Sequence, residues 1–258
     1  MSTEKLTVLA LCAHPDDTEI HCGGTLLLLA KQGWNVHVAT LTSGDCGSAE
    51  ECSNAIAIRR TAEADAAAKR LGGSYHCLGG LDLQVYDDNA MRSAAVAVLR
   101  EVQPDCIITH YPVDYMPDHE AASAVTRMAD FTAPMRNYTV GRAAFLEPTK
   151  GVVPLYYFGP MENMDYFGNV IKPQFYVDVS SVISTKAEAL GCHVSQREWL
   201  RRQHGIDQYI DEMKSWDAEA GSKVGAQYAE VFIMHKGSAF PRTPIIENAL
   251  AEYIRKER

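Results

Sequence analysis

The 258 residues are 47% hydrophobic and 22% charged, enough apolar material for one large α/β domain, and a single domain over residues 1–258 is expected. A formal net charge of −9, with basic residues only in short groups such as Arg59-Arg60 and Arg201-Arg202, excludes a nucleic-acid partner, whose phosphates require clustered cations. The longest apolar runs, such as residues 26–30, fall far below the roughly 18 residues a bilayer needs, so no membrane partner and a cytoplasmic location are expected; seven cysteines without C-x-x-C spacing read as reduced thiols rather than disulfides or a thiolate zinc site.

The apolar run 6–12 predicts a first, buried strand, followed directly by Ala13-His14-Pro15-Asp16-Asp17. Pro15 fixes its own φ and biases His14 toward an extended backbone, so an imidazole and two carboxylates leave the strand's carboxyl end, where open α/β sheets bind ligands. Gly23-Gly24 opens an apolar helix over 25–31, stopped by Gly33. Residues 35–42 alternate and are β-branched, predicting a second strand that runs into the turn 43–48. The Ala-rich stretch from about 53 to 71 predicts a long amphipathic helix, closed by Gly72-Gly73 and followed by a short strand around 75–78. Asp88 or Asn89 caps a helix to about Val102, and Pro104 precedes a strand over 106–110. This βαβα rhythm predicts a Rossmann-like α/β fold, a mostly parallel sheet with helices on both faces. Cys12 and Cys106, inside apolar strands, are expected as small core residues.

The loop 111–118 ends at His119, where another helix starts. From about 134 to 174 regularity breaks down into an aromatic-rich insertion (Tyr138, Phe145, Tyr156, Tyr157, Phe158, Tyr166, Phe167) with one strand at 154–158. Long loops often wall a site, so this insertion is expected to form the substrate rim. A strand near 175–179, helices over about 184–201 and from Asp207 to about 221, a strand at 228–234 and a short final helix complete the chain. The insertion and the C-terminal tail also offer surfaces for a homo-oligomer.

Catalytic zinc takes three His or carboxylate ligands and keeps a position open for water. His14, one of the two aspartates after it, and His119 would supply that set from two strand ends, although Fe(II) and other 2-His-1-carboxylate metals suit the same donors. Gly23-Gly24 makes no dinucleotide fingerprint, because the G-x-G-x-x-G order is absent.

Read in order, His-Pro-Asp-Asp-x-Glu (14–19), Gly23-Gly24-Thr25, Thr42-x-Gly44-Asp45-x-Gly47, Arg60-x-x-Glu63, Pro117-Asp118-His119, the run Ala189-x-x-x-His193-x-Ser195-Gln196 and Tyr228-Ala229-Glu230-x-Phe232 form a specific set. The sequence resembles the PIG-L/LmbE family of zinc-dependent N-deacetylases, which act on N-acetylglucosamine derivatives and related acylated amines, and the resemblance covers nearly the whole chain. It implies an LmbE-like fold and a small acetamido-sugar substrate. It further implies that His14, Asp17 and His119 bind Zn²⁺ while Asp16 acts as general base, taking a proton from zinc-activated water and returning it to the leaving amine.

The chain departs from the family pattern at Met116, where many members carry a histidine that polarises the carbonyl. Tyr115, His110 and His193 are the candidates to replace it, and His193, inside a matched motif, is favoured. Asp118 is expected to orient a ligand histidine, with helix capping as a compatible role. Arg60 and Asp45 sit at positions that suggest contact with sugar hydroxyls, against a plain reading as helix-face and turn residues; Asp82 has the same standing, and Tyr115 joins the substrate side. Met116 also motivates an alternative, a non-catalytic carbohydrate- or metabolite-binding protein on the same scaffold.

Overall fold

A computed structural model of the chain describes residues 5–138, 141–204 and 208–257. The first strand, β1 (Thr7–Cys12), is fully covered on both sides. Val8, Ala10 and Cys12 join one apolar layer, whereas Leu9, Leu11 and Ala13 join the other. Alternate side chains of a strand point to opposite faces, so an unbroken apolar run marks a strand with helices above and below.

The chain continues through α1 (Asp17–His21), α2 (Gly23–Lys31), β2 (Asn35–Thr42), α3 (Ser53–Arg70), β3 (Gly73–Gly80), α4 (Asn89–Val102), β4 (Cys106–Thr109) and α5 (Pro117–Thr132). Asp88 caps α4 by accepting from the Met91 N–H, as the sequence suggests. Then come β5 (Leu155–Phe158), β6 (Phe175–Asp178), α6 (Ile183–Leu190), α7 (Val194–His204), α8 (Tyr209–Ser222), β7 (Ala229–Met234), α9 (Ile245–Ala249) and β8 (Ile254–Arg255). The helix expected over 184–201 is two helices, α6 and α7, parted at Gly191-Cys192-His193. Asp207, expected to open the next helix, lies outside the described residues.

Among the described residues the strands form one sheet in the order β3-β2-β1-β4-β5-β7-β6-β8. The pairs from β3 through β5 are parallel, and those made by β6, β7 and β8 are antiparallel. Successive parallel strands run outward from β1 in one direction and resume at β4 on its other side, which opens a crevice at the carboxyl ends of β1 and β4. The site residues emerge there. Cys12 and Cys106 are buried, and all seven cysteines are free thiols. No helix of the described residues is long and apolar enough to cross a membrane.

One ionic network ties the parallel and antiparallel halves together. Glu230 of β7 accepts from the Gly24 and Thr25 N–H groups at 2.7 and 2.8 Å, satisfying free donors at the start of α2. The buried Lys186 ammonium lies 2.7 Å from Glu230 and 2.6 Å from Asp217. Gly24 is required by close approach, since a Cβ there would stand 2.6 Å from Val179 and 2.9 Å from the Glu230 carboxylate. Removing one partner of such a buried group costs about 3–5 kcal/mol, because it strands the other charge.

Candidate active site

The crevice is built first from the turn after β1. Asp16 adopts φ 100°, a left-handed conformation that is uncommon for a residue with a side chain and that clusters at functional sites. It lets α1 start at Asp17, whose Oδ2 accepts from the His14 N–H at 2.7 Å. A few residues thus aim His14, Asp16 and Asp17 in fixed directions.

The second element is the N-terminal turn of α5, entered through Pro117 at a position where its missing N–H costs nothing. It brings His119 to Asp17 and sets the His14 and His119 rings 5.4 Å apart. Each imidazole has one nitrogen on a carboxylate and the other toward Asp17. His14 Nε2 lies 3.0 Å from Asp82 and 3.2 Å from Asp118, with Nδ1 3.5 Å from Asp17 Oδ2. His119 Nδ1 lies 3.0 Å from Asp114, with Nε2 3.5 Å from Asp17 Oδ1. One ligand atom from each of His14, Asp17 and His119 falls within 4.8 Å of the others, close enough to share an ion.

This donor set fits a divalent metal. Carboxylates behind metal-binding histidines fix the ring and raise its basicity, and here Asp82, Asp118 and Asp114 stand in those places. Burial opposes charge on His14, yet Asp118, Asp17 and Asp82 hold its pKa up to about 12. Burial likewise opposes charge on His119, but Asp17 and Asp114 hold it near 9. Asp17 is pulled the other way: His119 and His110 overcome its burial and keep the carboxyl well below the usual range. A pocket whose field holds protons this firmly is one that favours a cation.

Asp16 differs from its neighbour. Tyr209 of α8 donates to its Oδ2 at 2.5 Å, and Arg60 stands 3.5 Å away. Burial nevertheless raises its pKa, with Arg60 opposing and Asp17 adding to the rise. A raised carboxyl beside a cation-binding set suits a general base working near neutral pH.

A cleft of about 450 Å³ opens over these groups. Asp16, Asp17, His14, His119, Arg60, Asp82 and Tyr115 all line it. Two nitrogens of the buried Arg60 guanidinium donate to the Gly44 and Pro15 carbonyls, so it braces both loops while facing the cleft. Asp45 is not on the lining; it accepts from Ser53 and from the Asp82 N–H, holding the Asp82 loop in place. Asp118 accepts from the Leu83 N–H at 2.8 Å and faces His14.

His193, favoured for the place left by Met116, does not reach it. It is 1% exposed, paired with Glu19 at 3.3 Å, and absent from the cleft lining. The break between α6 and α7 turns its ring inward, toward α1. His110 is also fully buried, stacked under His119 at 4.0 Å. Tyr115 alone of the three candidates lines the cleft, edge-on to His119 at 5.5 Å, and partial burial together with Asp17 and Asp114 pushes its phenol up to about 12.

The expected rim is corrected as well. Among the described residues of 134–174, Met161 alone lines the cleft itself and residues 158–163 reach only the smaller cavity beside it, because Tyr156, Tyr157 and Phe158 are buried in β5 and Phe145, Tyr166 and Phe167 are exposed. The wall comes instead from Gln196, Trp199 and Leu200 of α7 and Tyr209, Glu212 and Trp216 of α8, each set spaced to share one helix face. Sequence reasoning also passed over Asp114, and it reads His21 as a surface or structural histidine without usable spacing, whereas the structure places it on the cleft lining. His21 lies four residues after Asp17 on α1, a spacing that would have placed it on the cleft floor, where its ring stacks on Phe158 at 4.5 Å.

Residues 9–129 match the family model described as PIG-L: GlcNAc-PI de-N-acetylase. The chain is 28% identical over 256 residues to the 4-oxalmesaconate hydratase of Pseudomonas putida, covering 94% of this chain and 92% of that one. It is 29% identical over 196 residues to the diacetylchitobiose deacetylase of Thermococcus kodakarensis, covering 73% and 69%. The solved N,N'-diacetylchitobiose deacetylase of Pyrococcus horikoshii shares the fold, with a TM-score of 0.75, 23% identity, and coverage of 93% of this chain and 88% of that one.

Proposed function

Because this chain belongs to the PIG-L/LmbE family, we propose that it removes the acetyl group from an N-acetylated amino sugar or its conjugate by metal-assisted attack of water. The observation that carries this reading is the pair of imidazoles, each backed by a carboxylate and converging on Asp17, with Asp16 free of that set beside them. When bound, a divalent ion held by His14, Asp17 and His119, zinc by this reading, supplies Lewis acidity that can bring a water's pKa from 15.7 to about 7. Asp16 takes the proton of the attacking water. Tyr209 and Arg60 keep that carboxylate aimed, and the same Asp16 returns the proton to the departing amine. Tyr115, protonated throughout the neutral range, donates to the developing oxyanion in place of the histidine absent at Met116.

A second reading is hydration of a carbon–carbon double bond, favoured by the length of the match to the Pseudomonas putida hydratase. That enzyme's name describes a polycarboxylate substrate. Among the described residues, Arg60 is the single Lys or Arg side chain lining the cleft, and two of its nitrogens are already spent on the Gly44 and Pro15 carbonyls. The cleft therefore suits a neutral acetamide better than a polyanion.

The test is acetate release from a panel of N-acetylglucosamine glycosides by zinc-loaded protein. Asp16→Asn is expected to lower the rate about 10²- to 10⁴-fold with metal content retained, and Tyr115→Phe to lower kcat about 10²-fold. Binding without acetate release would support a non-catalytic binder, and loss of a conjugated carboxylate's absorbance without acetate release would support hydration.

A further inference from the structure

The outer cleft carries information about what is attached to the sugar. Trp199 and Leu200 on α7 and Glu212 and Trp216 on α8 all line it. Both tryptophans are half-buried and Glu212 is exposed, so the wall is already formed while one carboxylate stands at its edge. Indole faces give flat, apolar contact area to rings and to sugar C–H surfaces.

The cleft does not stop there. A smaller cavity of about 50 Å³ continues from it, the two sharing Ile20, His21, Met161 and Trp216. Beyond Trp216 its apolar walls are Phe158, Pro160 and Val231. Its charged lining is acidic: Glu162, Asp217, Glu219 and Glu230, of which Asp217 and Glu230 are offset by Lys186. Neither cavity has a Lys or Arg on its lining among the described residues except Arg60, which is at the sugar end and bonded to backbone. An anionic group leaving the sugar would therefore meet Glu212, Glu162 and Glu219 with no cation to receive it. Walls of one sign concentrate their field inside a cleft, and the net charge of −9 adds to it.

We propose that the Trp199–Trp216 wall selects N-acetylated amino sugars whose attached group is aromatic or apolar and carries no negative charge. This rests on the deacetylase reading for the sugar end and adds the chemistry of the other end. Glu212 and Trp216 are specificity-determining residues here, one by repulsion and one by stacking.

The experiment measures binding by calorimetry to Asp16→Asn protein loaded with zinc, which holds substrate without turning it over quickly. The probes are N-acetylglucosamine, its phenyl β-glycoside and its 4-carboxyphenyl β-glycoside. The phenyl glycoside is expected to bind about tenfold tighter than either of the others. Adding Trp216→Ala removes the advantage of phenyl over the bare sugar, and adding Glu212→Lys brings the carboxyphenyl glycoside level with phenyl or above it. Equal binding of all three probes, or a preference for the carboxylate in the unaltered wall, overturns the proposal. Acetate release by the protein with Asp16 intact is measured on the same probes. The phenyl preference without acetate release leaves the selection standing and removes the hydrolysis; equal acetate release from all three does the reverse.

Discussion

Tyr209 and Asp16 are 193 residues apart in the chain and 2.5 Å apart in space, the phenol donating to the carboxylate Oδ2. This bond gives α8 a part in setting the reactivity of a residue in the turn after β1. Burial raises the pKa of Asp16, while Arg60 and the Tyr209 donation lower it. Replacing Tyr209 by Phe removes a stabiliser of the ionised form, so the Asp16 pKa rises further. A base must be deprotonated to act, and the acid limb of kcat/KM for Tyr209→Phe is therefore expected to move to higher pH, with activity lost most at the acid end and recovered as pH rises. The pH–rate profile is the measurement; an unmoved acid limb contradicts the assignment.

Asp114 holds the nitrogen of His119 that points away from Asp17. Partners of this kind typically account for 10- to 100-fold in metal affinity. Asp114→Ala is expected to weaken zinc binding by about that factor in a chelator competition. Unchanged affinity would contradict a part for Asp114 in orienting His119.

Much of this centre is legible in the sequence, because His14, Asp16 and Asp17 are consecutive or nearly so and Pro15 constrains the backbone between them. Local stereochemistry does the positioning, and the apolar β1 in front says which end of the sheet they occupy. His119 requires a tertiary convergence, and only an ordered set of motifs points to it. Asp114 escapes because its role depends on where the 111–118 loop folds back, which no spacing encodes. The rim escapes for a different reason. Aromatics in the 134–174 stretch look like a wall, but those in β5 are held by the core on both faces of the sheet. Trp199 and Trp216 lie outside the matched motifs, and only the placement of α7 and α8 over the crevice makes those faces part of the cleft lining.

Asp130 offers a test of stability away from the chemistry. It is 1% exposed, its Oδ1 accepts from the Val153 N–H at 3.0 Å, and its Oδ2 has no hydrogen-bond partner among the described residues. Burial pushes its pKa from 3.8 up to about 7, only partly offset by Val153. Between those values the folded protein holds a proton that the unfolded chain has released, so stability falls as pH rises through the window and the loss is complete above about 7. Asn cannot ionise and keeps an oxygen for Val153. Asp130→Asn is expected to be more stable than the parent by roughly 2–4 kcal/mol at pH 8 and nearly equal to it at pH 4 in urea unfolding. A difference independent of pH would show that the carboxyl is not protonated in the folded protein.

The measurement that bears most directly on the whole account is anomalous diffraction at the zinc edge from crystals grown with zinc. One peak in contact with His14, Asp17 and His119 together, with the Asp16 carboxylate beside it and not bonded to it, is the expected result. A peak held by His110 and Asp114 instead, or none where the imidazoles of His14 and His119 converge, would contradict it.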